Sequence, residues 1–238
     1  MVANDRSNSC LVCGVEVLPG ASARGSLCAA CSGKSAAAAI EEIALTTTLT
    51  DPVRIAEIMM SLPGLPMIGC EHTCIASGAI MAALRNSAYG KGGNDDVREA
   101  LKRTAKQTVD GSCSLTGMCG IAPAIGACFS IFLGAGPGAD REQRIAMEAV
   151  VRVSQTAAQL TGPGCCKAYV RAGISIAVDM FSEKFGVVLP VQRETIVCKH
   201  SESHPHGCRE EKCPYFRRPS KDIFASGGFI PGITGCVT

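Results

Sequence analysis

The sequence predicts a mostly α-helical protein, with a compact helical domain between a small cysteine-rich N-terminal module and a Cys/His-rich C-terminal segment. Three observations support this prediction. Helix-start signals recur, for example Asp51 followed by Pro52. Cysteines occur in close pairs near the N-terminus and in the middle of the chain, and together with histidines near the C-terminus. Apolar residues follow helical spacing, and the clearest stripe advances in steps of four: Ile145, Ala149, Val153 and Ala157.

The composition limits both the core and the class of protein. Apolar residues make up 47% of the chain but Trp is absent, so small aliphatic side chains must form the core and allow close helix packing. The best apolar run, 120–133, is interrupted by Pro123 and Gly126 and is shorter than the roughly 18 residues of a membrane span. It fits a buried core helix, and we expect no membrane association.

The N-terminus and the charge distribution favour a cytoplasmic protein without nucleic-acid partners. The first ten residues, MVANDRSNSC, lack the basic start and apolar run of a signal peptide. The net charge is only +2, and no basic stripe with interleaved aromatic residues is present. The 15 cysteines are therefore expected to stay reduced and to serve as metal or catalytic thiols. Such a content of free thiols suits a low-oxygen cell.

Four cysteines in the first 32 residues predict a metal site. Fourteen residues separate the pair Cys10 and Cys13 from the pair Cys28 and Cys31. Two CxxC knuckles at this separation can surround one ion with four thiolates, so residues 1–32 are predicted to form a structural zinc ribbon or knuckle. A rubredoxin-like iron site would use the same ligands.

The helical domain is predicted over residues 33–197. Ser32 or Ser35 caps its first helix, which ends near Thr46, and Asp51 caps the second. The remaining helices are predicted, in order, near 74–87, 94–108, 121–133, 140–160 and 168–186. Short Gly- or Pro-containing turns separate most of them.

Cysteines at two turns of this domain are candidates for a redox or metal centre. His72 and Cys74 lie where a turn enters a helix, a position that favours a ligand or a proton-transfer group. Five residues separate Cys113 from Cys119, a spacing that matches no standard metal motif. Adjacent cysteines face different directions, so one of Cys165 and Cys166 can join a site while the other packs elsewhere. We predict ligand or catalytic roles for these cysteines and for His72. Lys167 would stabilise a thiolate or bind an anion.

The C-terminal segment, 198–238, is predicted to bind metal as well. Cys198, Cys208 and Cys213, with His206 as a fourth ligand, would complete a tetrahedral zinc site or hold three irons of a cluster. A cysteine followed by proline, as at Cys213, also occurs at the last ligand of ferredoxin motifs.

Residues 69–216, about 60% of the chain, resemble an uncharacterised cysteine-rich family of anaerobic bacteria and archaea, some members of which are fused to methyltransferases that use S-adenosylmethionine. The most specific shared element is GPxCCK, at residues 162–167. The resemblance implies a helical domain with a shared metal or thiol site. The other residues that carry it are His72, 84–86, Cys113, Gly117, Cys119, Gly120, Cys198, Cys208 and 213–216.

Three functions are compatible with these patterns. The first is a cytoplasmic metalloprotein of anaerobic metabolism, with structural zinc and a core iron–sulfur cluster, that acts in redox chemistry, cluster or sulfur transfer, or small-molecule catalysis. The second is a thiol enzyme without a core metal. The third is a zinc-stabilised adaptor. Expected partners are redox, sulfur-transfer or methyltransferase proteins, and a homo-oligomer is compatible with the sequence.

Overall fold

A computed structural model describes residues 9–17, 27–89, 92–160, 162–192 and 196–217. Within these residues the chain is mostly helical, as predicted, and its only β-type pairing is an isolated antiparallel bridge between Ser9 and Glu16. Short 3-10 turns occupy Ser201–Ser203 and Glu210–Lys212. The helices are α1 Ala29–Ser32, α2 Ala36–Thr46, α3 Pro52–Met60, α4 Glu71–Asn86, α5 Asn94–Gln107, α6 Ser112–Thr116, α7 Ile121–Leu133, α8 Asp140–Gln159 and α9 Cys166–Phe185.

Local capping explains most of the helix starts. The Ser35 hydroxyl accepts a hydrogen bond from the backbone N–H of Ala38 at 3.2 Å and begins α2. A carboxylate oxygen of Asp51 accepts from the backbone of Val53 at 2.9 Å, and Pro52 occupies the first position of α3. These starts agree with the capping signals in the sequence.

Helix α5 begins one residue earlier than a cap at Asn94 would give. Gly93 is the N-cap, and its N–H donates to the carboxylate of Asp96 at 2.9 Å. The side chain of Asn94 is engaged elsewhere, because Arg85 donates to its amide oxygen at 2.6 Å. A contact with a neighbouring helix thus overrides the local capping preference.

Helix α4 lies at the centre of the bundle and contacts α2, α3, α5, α7 and α9. Small residues permit this close packing. A Cβ added at Gly78 would lie only 3.3 Å from Leu101 and 3.4 Å from Ala44. At Gly173 in α9 an added Cβ would lie 2.8 Å from Ile125 of α7. Gly78 therefore sets how closely α2 and α5 approach α4, and Gly173 sets how closely α7 approaches α9.

Both ends of the described chain pack against the helical core. Cys10 and Val12 near the N-terminus, and Tyr215 and Phe216 near the C-terminus, belong to the same continuous cluster of buried residues as the helices. The predicted divisions at residues 32 and 197 stay predictions, and the tail beyond residue 217 lies outside the described residues. In the described part of the chain, no helix combines the length and the hydropathy that a bilayer span requires.

The Phe129→Ala substitution in α7 should destabilise the bundle strongly. Phe129 is fully buried and stacks on Phe181 of α9 with ring centroids 4.2 Å apart, so truncation leaves a cavity. We expect a loss of about 3–5 kcal/mol in the free energy of unfolding, measured by denaturant titration. The matched control, Val151→Ala on the exposed face of α8, should change it by no more than about 0.5 kcal/mol. Equal losses for the two variants would contradict this packing.

Candidate functional site

The N-terminal cysteines meet around one point. The sulfur atoms of Cys10, Cys13, Cys28 and Cys31 all lie within 4.8 Å of one another, and those of Cys13 and Cys28 are 3.6 Å apart. Four thiolates bound tetrahedrally to one ion at about 2.3 Å lie about 3.8 Å apart, so this group, the N-terminal thiol cluster, can hold a single metal such as zinc. Among the residues described, no other group of three or more possible ligands is this compact.

The electrostatics of the N-terminal thiol cluster favour a bound cation. Burial opposes ionisation of Cys10, but backbone hydrogen bonds from Cys13, Cys28 and Val12 lower its pKa to about 6. Burial and the neighbouring thiols raise the pKa of Cys31 to about 12. One thiolate therefore forms readily and makes further ionisation unfavourable, unless a metal ion supplies positive charge.

A second group of thiols gathers at the N-terminal ends of three core helices. Cys70 is the N-cap of α4, Cys119 immediately precedes the N-cap of α7, and Cys166 is the first residue of α9. Burial raises the pKa of Cys166 to about 11, and electrostatic repulsion from Cys119, Cys165 and Cys113 adds to the shift. We call Cys70, Cys113, Cys119 and Cys166 the core thiol cluster.

Cys70, which the sequence analysis left out of the site, belongs to this cluster, whereas Cys74 is less closely associated with it. Burial raises the pKa of Cys70 to about 12, with further contributions from a hydrogen bond to Asp110 and from the charge of Cys166. Cys74 lies one turn further into α4; burial raises its pKa too, and the charge that adds to the shift is that of Glu71. The position of Cys70 at the helix cap was the available signal, but only the tertiary structure distinguishes it from Cys74.

Backbone amides lie close to two sulfurs of the core thiol cluster, those of Cys119 and Cys166. Burial raises the pKa of Cys119, while hydrogen bonds from the backbone of Ile121 and Ala122 oppose that shift. The backbone of Gly69 forms the equivalent bond to Cys166. Cys113, in α6, is the exposed member of the cluster. The core thiol cluster therefore has backbone amides near Cys119 and Cys166 and is open to solvent at Cys113.

A third group of thiols lies near the start of α9 and includes Cys165. Burial raises the pKa of Cys165, and the next unfavourable contribution comes from Cys198. Burial also raises the pKa of Cys213, with repulsion from Cys165, Cys198 and Cys208. We call these four residues the C-terminal thiol cluster. The adjacent residues Cys165 and Cys166 thus belong to different clusters.

The histidines predicted for the site have different surroundings. Nδ1–H of His72 donates to the carbonyl of Gly69 at 3.1 Å, while its buried Nε2 has no partner among the described residues. Burial, followed by the charge of Lys167, lowers the pKa of His72 to about 4. Its imidazole is therefore neutral at pH 7, with a free lone pair on Nε2. This arrangement resembles that of metal-binding or proton-accepting histidines.

His206, the predicted fourth ligand at the C-terminus, is exposed. The neighbouring His204 is buried and uses both ring nitrogens, since Nε2 donates to the carbonyl of Gly164 and Nδ1 accepts from the backbone of His206. Their rings lie 6.2 Å apart. Neither histidine is grouped with the cysteines at the spacing of a single metal ion.

Lys167 lies close to the C-terminal thiol cluster. Its side chain is almost fully buried, and Nζ donates to the carbonyl of Met60 at 2.9 Å. Burial and the nearby charge of Arg171 lower its pKa to about 8, while Cys165 and Cys198 act in the opposite direction. The predicted electrostatic link between Lys167 and a thiolate thus involves Cys165.

Residues 40–216 match the sequence model of DUF5714, which is described as a family of unknown function. This protein belongs to DUF5714. The matched DUF5714 region contains the core and C-terminal thiol clusters, whereas the N-terminal thiol cluster precedes it. No curated protein and no solved structure matches the chain. Membership of an uncharacterised family is thus confirmed, while its occurrence in anaerobes and its fusion to methyltransferases stay predictions.

The Cys13→Ser substitution should remove one metal ion from the DUF5714 protein. The hydroxyl of serine does not ionise near pH 7, so the N-terminal thiol cluster loses one of its four thiolate ligands. We expect metal analysis of the purified protein to show about one ion fewer per chain than the wild type. The control is Cys128→Ser, since Cys128 is buried and its thiol lies against the carbonyls of Ser77 and Ala124. Unchanged metal content in Cys13→Ser would rule the site out.

Proposed function

We propose that this DUF5714 protein is a redox metalloprotein whose core thiol cluster holds an iron–sulfur cluster, while the N-terminal thiol cluster holds a structural zinc ion. One observation carries the proposal. Cys70, Cys113, Cys119 and Cys166 are far apart in the sequence, yet they gather at the N-terminal ends of neighbouring helices. Four thiolates are the usual ligand set of iron–sulfur clusters.

The spacing of these sulfurs favours a cluster over a single ion. The N-terminal thiol cluster shows how close four cysteines lie in this protein when one ion can bridge them. No three sulfurs of the core thiol cluster are that close, although their charges interact. Several irons bridged by sulfide occupy more space than one zinc ion, so their cysteine ligands lie farther apart.

The charges around the core thiol cluster oppose ionisation of its cysteines in the absence of a bound metal. The other charges that raise the pKa of Cys70 belong to the acidic residues Asp110 and Glu71. A group of thiols and carboxylates at this spacing is strongly repulsive once it ionises. Ferric and ferrous ions would offset the charge of the thiolates, although the complete four-thiolate centre stays anionic. The amides of Gly69, Ile121 and Ala122 then stabilise the sulfur ligands and help to set the reduction potential.

The exposure of Cys113 indicates how such a centre would act. Its sulfur lies at the surface while Cys70, Cys119 and Cys166 are partly covered. A cluster held by these residues is reachable from one side by the cofactor of a redox partner or by a small substrate. We therefore favour electron transfer in a reducing cytoplasm, to a redox, sulfur-transfer or methyltransferase protein.

The thiol-enzyme alternative is less well supported. A cysteine nucleophile needs a thiolate near neutral pH, which requires nearby positive charge and partial exposure. Burial instead raises the pKa of Cys70 and Cys166, and the charges of Asp110 and of the neighbouring cysteines shift it further in the same direction. The adaptor alternative requires no centre in the core, so metal analysis distinguishes it from the proposal.

Anaerobic preparation of the full chain with iron and sulfide should give a brown protein. We expect visible thiolate-to-iron absorption and acid-labile sulfide in the wild type, and a loss of most of both in Cys166→Ser. Cys128→Ser is the matched control, because its thiol is fully buried against backbone carbonyls and belongs to no thiol cluster. It should retain the cluster.

A comparison within α4 sharpens this test. Cys70→Ser should remove the absorption, whereas Cys74→Ser, one helical turn away, should leave most of it. A colourless wild type that contains only zinc would contradict the proposal, and so would an unchanged spectrum of Cys166→Ser.

A further inference from the structure

The C-terminal segment closes over the start of α9 and brings its cysteines to Cys165. The backbone N–H of Cys198 donates to the carbonyl of Tyr215 at 2.7 Å, so the segment folds back on itself. Cys165 and Cys213 are buried, while Cys198 and Cys208 are half-buried. Cys213 interacts electrostatically with the other three. Four thiols thus share one partly enclosed region.

Backbone amides in this region are arranged as in the N-terminal thiol cluster. The amide of His200 donates to the sulfur of Cys198 at 3.4 Å, and that of Glu210 donates to Cys208 at 3.3 Å. In both cases the donor lies two residues after the cysteine. In the N-terminal thiol cluster, the sulfur of Cys13 accepts in the same way from the backbone of Val15. The four sulfurs of that cluster are close enough to share one ion. Such bonds stabilise a thiolate more than a thiol.

Among the described residues, buried cations beside the C-terminal thiol cluster outnumber the carboxylates paired with them. Lys167 is 2% exposed and takes part in no ion pair among the described residues. Arg171 is 1% exposed; it pairs with Glu57 at 2.6 and 2.9 Å and also hydrogen-bonds Cys198. Nε and Nη1 of Arg209, which follows Cys208, are buried and have no partner within the described residues.

Buried positive charge without a counterion is costly, and it indicates that an anionic group is missing from its surroundings. Glu57 alone does not balance Lys167, Arg171 and the two buried nitrogens of Arg209. Four cysteine thiolates around one divalent ion carry a net charge of about −2, and a four-thiolate iron–sulfur centre is likewise anionic. Such a centre would pair with these cations.

We infer that Cys165, Cys198, Cys208 and Cys213 form a second tetrathiolate metal centre that ties the C-terminal segment to the start of α9. Lys167, Arg171 and Arg209 act as its counter-charges. Cys165 takes the position that the sequence analysis assigned to His206. This centre is separate from the core thiol cluster. The inference does not depend on whether the core thiol cluster holds an iron–sulfur cluster.

Three features favour Cys165 over His206 as the fourth ligand. Cys165 is buried and interacts electrostatically with Cys198 and Cys213, whereas His206 is exposed. The backbone amide of His206 is also held by the ring of His204, which in turn donates to the carbonyl of Gly164, next to Cys165. This chain of bonds holds the loop against α9 without using the imidazole of His206.

The spacing of the four sulfurs is compatible with two kinds of centre. No three of them lie within 4.8 Å of one another, so either the half-buried Cys198 and Cys208 move toward Cys165 for a single zinc ion, or a wider iron–sulfur centre is bound. Both have four thiolates and net negative charge, and the counter-charge argument applies to both.

The test compares Cys165→Ser, His206→Ala and Cys166→Ser in the full chain, prepared anaerobically with zinc and with iron plus sulfide. Zinc, iron and acid-labile sulfide are counted per chain, and alkylation of Cys198 and Cys208 is followed by mass spectrometry. We expect Cys165→Ser to lose one centre and to label several-fold faster at Cys198 and Cys208. His206→Ala should match the wild type in both measurements. Lost zinc would identify a single-ion site, whereas lost iron and sulfide would identify a cluster.

Cys208→Ser covers the case in which Cys165→Ser does not fold, because Cys208 lies in a loop outside the helices. It should lose the same centre and expose Cys198. Cys166→Ser should retain this centre even if it loses the core one, so failure of the proposed function and failure of this inference are distinguishable. Wild-type metal content and labelling in Cys208→Ser, or loss of the centre in His206→Ala, would overturn the inference.

Discussion

Repulsion between closely placed thiolates is the constraint on which this structure depends. Burial, followed by interactions with neighbouring thiols, raises the pKa of at least one cysteine in each of the three thiol clusters: to about 12 for Cys31, to about 11 for Cys166, and in the same direction for Cys213. Without a cation these groups stay protonated and gain little from being together. With a bound metal the same proximity becomes favourable, because ligand binding requires the thiolate form and releases the protons. Metal binding and the folding of both chain ends should therefore be coupled.

The helical bundle provides the rigid positions that such sites need. Helices α4 and α9 are in direct contact, and Gly78 and Gly173 allow their neighbours to approach closely. The turn before α4 and the start of α9 are thereby held side by side. Because Cys165 and Cys166 are adjacent, one helix start contributes a ligand to each of two proposed centres.

The parts of this arrangement that depend on local chemistry could be predicted from the sequence. The two CxxC knuckles of the N-terminal thiol cluster are close in the chain, and their spacing alone indicates a shared ion. Asp51 with Pro52 marked the start of α3, and the small-residue run 121–133 coincides with α7. Each of these signals requires information from only a few neighbouring residues.

The core and C-terminal sites could be predicted only in outline. Backbone geometry predicts that the side chains of adjacent cysteines point in different directions. The surroundings of Cys165 and Cys166, however, depend on how distant segments pack. The choice of Cys70 over Cys74 likewise depends on Asp110 and Cys166, which are far away in the sequence. The sequence predicts that Lys167 stabilises a thiolate, but the choice of Cys165 as its partner depends on the tertiary structure.

The most direct test of the account is to locate the metals in crystals grown anaerobically, using anomalous scattering at the iron and zinc absorption edges. The account predicts an iron signal bounded by Cys70, Cys113, Cys119 and Cys166, and a zinc signal at the N-terminal thiol cluster. An ordered core thiol cluster without any anomalous signal, in a crystal whose N-terminal cysteines hold zinc, would contradict it.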